Sequence, residues 1–270
     1  MIGDTPAAPG SGPKIDTTVP HSARIWNYWL GGKDNYPVDR EAGDRFLAVY
    51  PEQRDKARAV RGFLTRAVRY LAGEAGIRQF LDVGTGLPTM DNTHQIAQRI
   101  APESKIVYVD NDPLVLVHAR ALLTSSPEGV TDYIDADLRT PDAIVAEAAK
   151  TLDFSEPIAL IMMGVLGHIG DYTQARSILH QLLDALPSGS YLAQCDGTAT
   201  NEAYIEAIRQ YAKGGGVPYN LRSPEEIAGF YEGLELVEPG VVPIPRWRPD
   251  AIDIGEIVEV DQDGGVGRKA

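Results

Sequence analysis

From Arg78 onward the chain alternates short β-rich apolar runs with helical stretches, and few folds accommodate that alternation. The runs 79-QFLDVG-84, 105-KIVYVD-110, 130-VTDYID-135, 157-PIALIMM-163 and 190-SYLAQCD-196 have the doubly apolar character of strands buried on both faces. Between them, residues 92–100, 113–123, 142–150 and 173–186 show helical spacing of apolar positions. Strand, helix and strand repeated in this way imply right-handed crossovers and a doubly wound α/β sheet, mostly parallel and covered on both faces. Ligands of such sheets bind outside the carboxyl ends of the strands, so residues ending the strands are the first candidates for function.

The flanks complete the expected organisation. Residues 39–75 read as helical with a break near Pro51, and further helices are expected at 201–211 and 224–231. The segments 234-LELVEPGVVPI-244 and 254-IGEIVEV-260 predict a terminal pair of strands, for seven in all. This gives unstructured tails at 1–14 and 261–270, an N-terminal lid and helical extension over 15–76, and a sheet domain over 77–260. A formal charge of −13 repels phosphate backbones, which argues against nucleic acid and for a small-molecule partner. No run approaches the ~20 apolar residues of a membrane span, and the first residues have no apolar core of a secretory signal. With Cys195 the one cysteine, the expected location is the cytoplasm. Oligomeric state has no signature in the sequence.

The sharpest local signal is 80-FLDVGTGLPT-89. A strand ends at Asp82-Val83, and Gly84 and Gly86 let the backbone turn tightly against a ligand. Asp110 ends the next strand, at a spacing suited to ribose hydroxyls. Asp137, in 135-DADL-138, can receive an adenine amino group. A nicotinamide dinucleotide would use similar parts, but it wants a small residue at position 89 and free N–H groups for its pyrophosphate. Here position 89 is threonine and Pro88 removes a donor. S-adenosylmethionine carries no phosphate, and its ammonium and sulfonium favour an acidic residue such as Asp82.

The segments 20-PHSARIWNYWLGGKDNYPVD-39, 81-LDVGTGLPT-89, 106-IVYVDNDPLVLVHARALL-123, 133-YIDADLR-139 and 232-EGLELVEPGVV-242 resemble a bacterial family of class I S-adenosylmethionine methyltransferases of unassigned substrate. The similarity runs from about Pro20 to Asp250. It implies a Rossmann-like methyltransferase sheet and S-adenosylmethionine as cofactor, leaving S-adenosylhomocysteine, and it implies no particular acceptor. The cofactor-binding set is then Asp82, Gly84, Thr85, Gly86, Asp110, Asn111, Asp137, Leu138 and Met163, joined by Arg24, Tyr28, Gly32 and Asn35 from the N-terminal segment.

That segment, 21-HSARIWNYWLGGKDNY-36, is aromatic and polar around Gly31-Gly32. Its rings could face the sulfonium or adenine, Arg24 could pair the methionine carboxylate, and the whole could close as a lid. Plain packing of the aromatics on the core is the alternative. His168, just past the fourth strand, is the candidate catalytic base, with a capping or packing role nearly as well supported. His94 reads as structural and Asp171 as a helix N-cap, while Asp196 is a second possible base. No metal-ligand spacing and no Gly-x-Ser-x-Gly elbow is present, so no metal site is expected. Two other readings stay open: a protein that holds the cofactor without turnover, and a nicotinamide-dependent oxidoreductase.

Overall fold

The computed structural model describes residues 16–88, 91–115, 117, 125–250 and 258–270. The expected tail at 1–14 therefore lies outside the described residues. Helices α1 (Ser22–Trp29), α2 (Pro37–Val49) and α3 (Gln53–Gly73) precede β1 (Gln79–Val83). There follow α4 (Thr93–Ile100), β2 (Lys105–Asp110), β3 (Val130–Asp135), α5 (Pro141–Ala148), β4 (Ala159–Met163), α6 (Tyr172–Asp184) and β5 (Tyr191–Gly197). Residues 113–115 and 117, between β2 and β3, are also helical. The chain continues through α7 (Glu202–Lys213), α8 (Pro224–Ala228), β6 (Leu234–Leu236), β7 (Val242–Pro243) and β8 (Gln262–Lys269).

The strands form one sheet in the order β3-β2-β1-β4-β5-β8-β6, with the two-residue β7 also pairing with β8. β1 to β5 are mutually parallel, and β8 runs antiparallel to β5, β6 and β7. The doubly wound, mostly parallel sheet is thus as the alternation of runs implied. The order reverses at β1 and β4, so their carboxyl ends open the crevice where ligands of such sheets sit.

Strand alternation sorts the core into two layers. Leu81, Val83, Val107 and Val109 face the layer shared with α5 and α6, among Ile144, Ile178 and Leu182. Phe80, Ile106 and Tyr108 face the other layer, with Phe63, Leu64 and Ile96 from α3 and α4. Asp82 shares the parity of Phe80 and so points toward α3 and α4, where an apolar residue would be expected. A third cluster joins α1 and α2 to α7 through Ile25, Trp29, Phe46, Tyr50 and Tyr204.

Three expectations are corrected. The run 130-VTDYID-135 is not buried on both faces: β3 is the sheet edge, with Val130 40% exposed. The residues 261–270 are not an unstructured tail but hold β8, an interior strand between β5 and β6. Accordingly 234–244 finds its partner elsewhere than expected. Its strands pair with β8; residues 258–260 are in no strand, and 254–257 lie outside the described residues. The run 262-QDGGVGRK-269 concealed this because its glycines look like a loop. They are glycines because of packing: a Cβ at Gly264 would stand 2.5 Å from the Gln194 carbonyl oxygen, and one at Gly265 2.8 Å from that of Gly240. No helix among the described residues is long and apolar enough to cross a membrane.

Candidate active site

The loop after β1 is built on two left-handed glycines, Gly84 (φ +74°) and Gly86 (φ +67°). Their surroundings differ. A Cβ on Gly84 would collide with the side chain of Val165, just beyond β4, so this glycine lets the β1 and β4 loops touch. No atom of the described residues lies within 4 Å of a Cβ on Gly86, which borders open space among them. The loop is held against the end of β2: the Gly84 N–H donates to the Val109 carbonyl at 2.8 Å, and the Gly86 N–H to Asp110 Oδ2 at 2.8 Å. The other carboxylate oxygen, Oδ1, accepts the Asp112 N–H at 2.9 Å.

These residues line a cavity of about 250 Å³ over the carboxyl ends of β1, β2 and β4. Of the sequence-predicted residues it brings together Asp82, Gly84, Thr85, Gly86, Asp110, Asn111, Asp137, Leu138, Met163 and His168. Asp82 is buried, and burial pushes its carboxyl up to about 6 despite a 2.6 Å hydrogen bond from the Thr93 hydroxyl and the nearby Arg61 guanidinium. Burial also raises Asp110 above the usual carboxylate range. Asp137 accepts the Arg139 N–H at 2.8 Å, and the Arg139 guanidinium continues to the His168 carbonyl at 3.1 Å. Two carboxylates held in a poorly solvated wall are costly alone and gain from a cationic ligand. The open space at Gly86 leaves room for one to lie against the backbone. The residues present therefore fit S-adenosylmethionine.

His168 ends a 3₁₀ turn, Leu166–His168, directly after β4. Its Nδ1 lies 3.0 Å from the Pro218 carbonyl oxygen. A carbonyl only accepts, so Nδ1 carries the proton and Nε2 presents a lone pair. Burial holds the imidazole below its ordinary pKa, keeping it neutral at pH 7. His94 serves the fold: its N–H and Nδ1 both meet the Tyr108 hydroxyl at 2.8 Å. Asp171 caps α6 through the Gln174 N–H at 2.7 Å. Asp196 is enclosed by donors, with the Tyr219 hydroxyl at 2.5 Å and the Gln194 amide at 2.8 Å.

The N-terminal residues are placed otherwise than expected. Arg24, Tyr28, Gly32 and Asn35 are not part of the cavity wall. Arg24 is buried and donates to the carbonyls of Asp16 (2.9 Å) and Val19 (2.8 Å), with Asp39 3.5 Å from its Nε. Tyr28 donates to Asp44 at 2.6 Å. Asn35 donates to Asn27 Oδ1 at 2.9 Å and to the Gly32 carbonyl at 3.0 Å, tying off the turn after α1. The segment nevertheless forms one side of the cavity, through His21, Ser22, Trp26 and Asn27. α1 and its N-cap His21 place these four residues on the cavity, a helical phase not apparent in so short a run of rings and polar groups.

Arg61, also in the wall, was missed. It lies within a regular amphipathic stretch of α3, and nothing in its local sequence distinguishes it from the other arginines there. Its guanidinium donates to the Asp91 carbonyl at 2.7 Å.

A model of the S-adenosyl methyltransferase family matches residues 9–270. A protein of the domain-of-unknown-function 574 family from Streptomyces avermitilis is 47% identical, with a TM-score of 0.91 over 95% of this chain and 100% of that one. A candidate methyltransferase from Thermobifida fusca is 38% identical, with a TM-score of 0.86 over 94% of this chain and 96% of that one. A methyltransferase from Anabaena variabilis, 11% identical with a TM-score of 0.52 over 96% of this chain and 100% of that one, shares the fold. No curated protein matches the chain. With its family match spanning the N-terminal helices, the crevice and the final strand, the chain belongs to the S-adenosyl methyltransferases.

Proposed function

We propose that this S-adenosylmethionine-dependent methyltransferase transfers the methyl group to a small-molecule acceptor at the cavity over β1, β2 and β4. The observation that carries this reading is the convergence of Asp82, Asp110 and Asp137 with the open backbone at Gly86 in one cavity. Asp110 accepts from the ribose hydroxyls, and Asp137 with Leu138 holds the adenine. Asn111 and Met163 complete the nucleoside wall. Asp82, Gly84, Thr85 and Gly86 shape the methionine end. Arg61 takes the methionine carboxylate, the role expected of Arg24, because it shares the wall with Asp82. α1 covers the site and excludes water.

When bound, the cofactor supplies an electrophilic methyl on a positively charged sulfur. The protein's contribution is to place the acceptor in near-attack geometry and remove its proton. His168 Nε2 is the proton acceptor. The net charge of −13 disfavours nucleic acid as the acceptor.

Calorimetric titration with S-adenosylmethionine, S-adenosylhomocysteine and NADH tests the cofactor assignment. Saturable binding of the first two and none of NADH is expected; the reverse order would falsify it. Transfer of labelled methyl to members of an acceptor panel then separates an enzyme from a protein that only holds the cofactor.

A further inference from the structure

Beside the cofactor cavity lies a second, smaller pocket between α1, α2 and α7. The two share Ser22, Trp26 and His168 as wall residues, so His168 stands at their junction. The smaller pocket is aromatic: Trp29, Phe46, Tyr204, Tyr211 and Tyr219 line it with Trp26. Among the described residues, no Asp, Glu, Lys or Arg contributes to its lining. Two buried polar groups of its wall lack a partner among the described residues, the Tyr211 hydroxyl and Gln53 Oε1. Gln53, at the start of α3, is 2% exposed, and its Oε1 accepts no hydrogen bond. A buried acceptor in that condition is costly unless a ligand supplies a donor.

The chemistry of this pocket constrains what can enter it. A carboxylate or phosphate would lose its hydration and find no cation in the wall. A flat apolar ring gains edge and face contacts with the surrounding aromatics. Size narrows the choice further. The pocket holds about 40 Å³, well short of the roughly 150 Å³ of a cavity that accepts benzene. It therefore takes the edge of one ring, and the rest of the molecule lies across the junction, beside His168. The neutral imidazole there has a free lone pair on Nε2, which suits a nucleophile that must give up a proton.

We infer that the methyl acceptor is a small uncharged aromatic molecule with an O–H or N–H nucleophile, its ring edge in the aromatic pocket and its nucleophile at His168. This rests on the methyl-transfer reading above. In the transfer the nucleophile's lone pair forms the new bond to the methyl carbon. The carbon–sulfur bond breaks with its electron pair staying on sulfur, and the nucleophile's proton passes to Nε2. A neutral methylated product, a neutral thioether and an imidazolium result, so charge and atoms balance.

The test uses the full chain saturated with S-adenosylhomocysteine and titrated with phenol, cyclohexanol, benzoate or glucose, read by calorimetry and ligand-observed NMR. Phenol should bind saturably, about tenfold or more tighter than benzoate or glucose and measurably tighter than cyclohexanol. Ile208→Trp, which fills the pocket from α7, should abolish phenol binding while leaving the affinity for S-adenosylhomocysteine unchanged. Benzoate or glucose binding as well as phenol, or phenol binding undiminished in a folded Ile208→Trp protein, overturns the inference. Absence of phenol binding with intact S-adenosylhomocysteine binding overturns the acceptor class alone. Absence of S-adenosylhomocysteine binding overturns the methyl-transfer reading together with it.

Discussion

The Asp110 carboxylate and the Gly86 amide are joined by a 2.8 Å hydrogen bond that ties the end of β2 to the loop following β1. One side chain thus both shapes the glycine loop and faces the cavity. Asp110→Ala should weaken S-adenosylmethionine by ~1.5–3 kcal/mol, the range for hydrogen bonds to a charged group. That is roughly tenfold or more in Kd. It should also lower the melting temperature, since the N–H groups of Gly86 and Asp112 lose their acceptor. Asp110→Asn keeps one acceptor oxygen and should recover part of the stability. Calorimetry and thermal melts of both variants check this; unchanged affinity in a folded Asp110→Ala protein would remove Asp110 from the site.

The two loop glycines should respond differently to alanine. Gly84→Ala drives a Cβ into Val165 and should chiefly destabilise the fold. Gly86→Ala meets no atom of the described residues and should cost only the ~1–2 kcal/mol of a left-handed alanine. Its methyl enters the cavity, so its main effect should be on cofactor affinity. Urea melts paired with calorimetry separate the two. Unchanged cofactor affinity in a folded Gly86→Ala protein would show that the open space at Gly86 has no bearing on the ligand.

The arginines offer a similar contrast. Arg24→Leu breaks hydrogen bonds to the Asp16 and Val19 carbonyls and should lower stability with little change in cofactor affinity. Arg61→Leu should weaken S-adenosylmethionine by about tenfold, as expected for losing a charge-assisted hydrogen bond. Adenosine, which has no carboxylate, should bind both variants as it binds the parent. A cofactor Kd raised by Arg24→Leu and untouched by Arg61→Leu would reverse the assignment.

These contrasts mark where the sequence was readable. The strands ending at Asp82 and Asp110 were legible because a parallel sheet imposes apolar runs, and a left-handed turn requires glycine. What depends on burial by distant segments was not. Arg24 and Arg61 are chemically alike in the sequence, and Arg24 is held outside the cavity wall by the Asp16 and Val19 carbonyls and Asp39, partners that only the fold brings to it. β8 was hidden because close packing by β5 and the Gly240 turn removed the side chains that identify a strand. The aromatic pocket could not be foreseen, since it is assembled from α1, α2 and α7, which are more than 150 residues apart at their extremes.

Asp82 should make cofactor binding depend on pH. Its folded-state value of about 6 lies above the ordinary value of 3.8 because burial opposes the charge. Between these values the folded chain holds more protons than the unfolded one, so this group makes stability fall as pH rises toward 6. A cationic ligand favours the ionised carboxylate, so affinity for S-adenosylmethionine should rise as pH increases from 5 to 7 and fall on acidification. Arg61, Asp110 and Tyr108 also surround Asp82 and are common to the comparison. Asp82→Asn should bind more weakly at pH 7 and lose the dependence. Identical pH profiles for parent and variant would separate Asp82 from the cofactor.

Lys56 sets the opposite slope on the stability of the fold. It is fully buried on α3, its ammonium donating to the Tyr204 hydroxyl and lying 3.6 Å from the centre of that ring. Burial pushes its pKa down to about 7 from 10.5, although Asp261, Cys195 and Asp196 nearby favour the charge. Below pH 7 both folded and unfolded chains carry the proton, and the folded state bears the full cost of the buried charge. Between about 7 and 10.5 the unfolded chain holds a proton that the folded chain has released, so stability must rise with pH. The rise cannot exceed ~1.4 kcal/mol per pH unit for a single proton. Cys195, pushed up to about 12 by burial, contributes an opposing slope once an unfolded thiol ionises, at a pH of roughly 8.5. The clean window is therefore pH 7 to 8.5. Lys56→Met would leave the Tyr204 hydroxyl without its partner, so the double variant Lys56→Met/Tyr204→Phe is the better comparison. Urea denaturation across this window should give rising stability for the parent and a flatter line for the double variant. Parallel lines would mean that Lys56 keeps its proton in the folded protein.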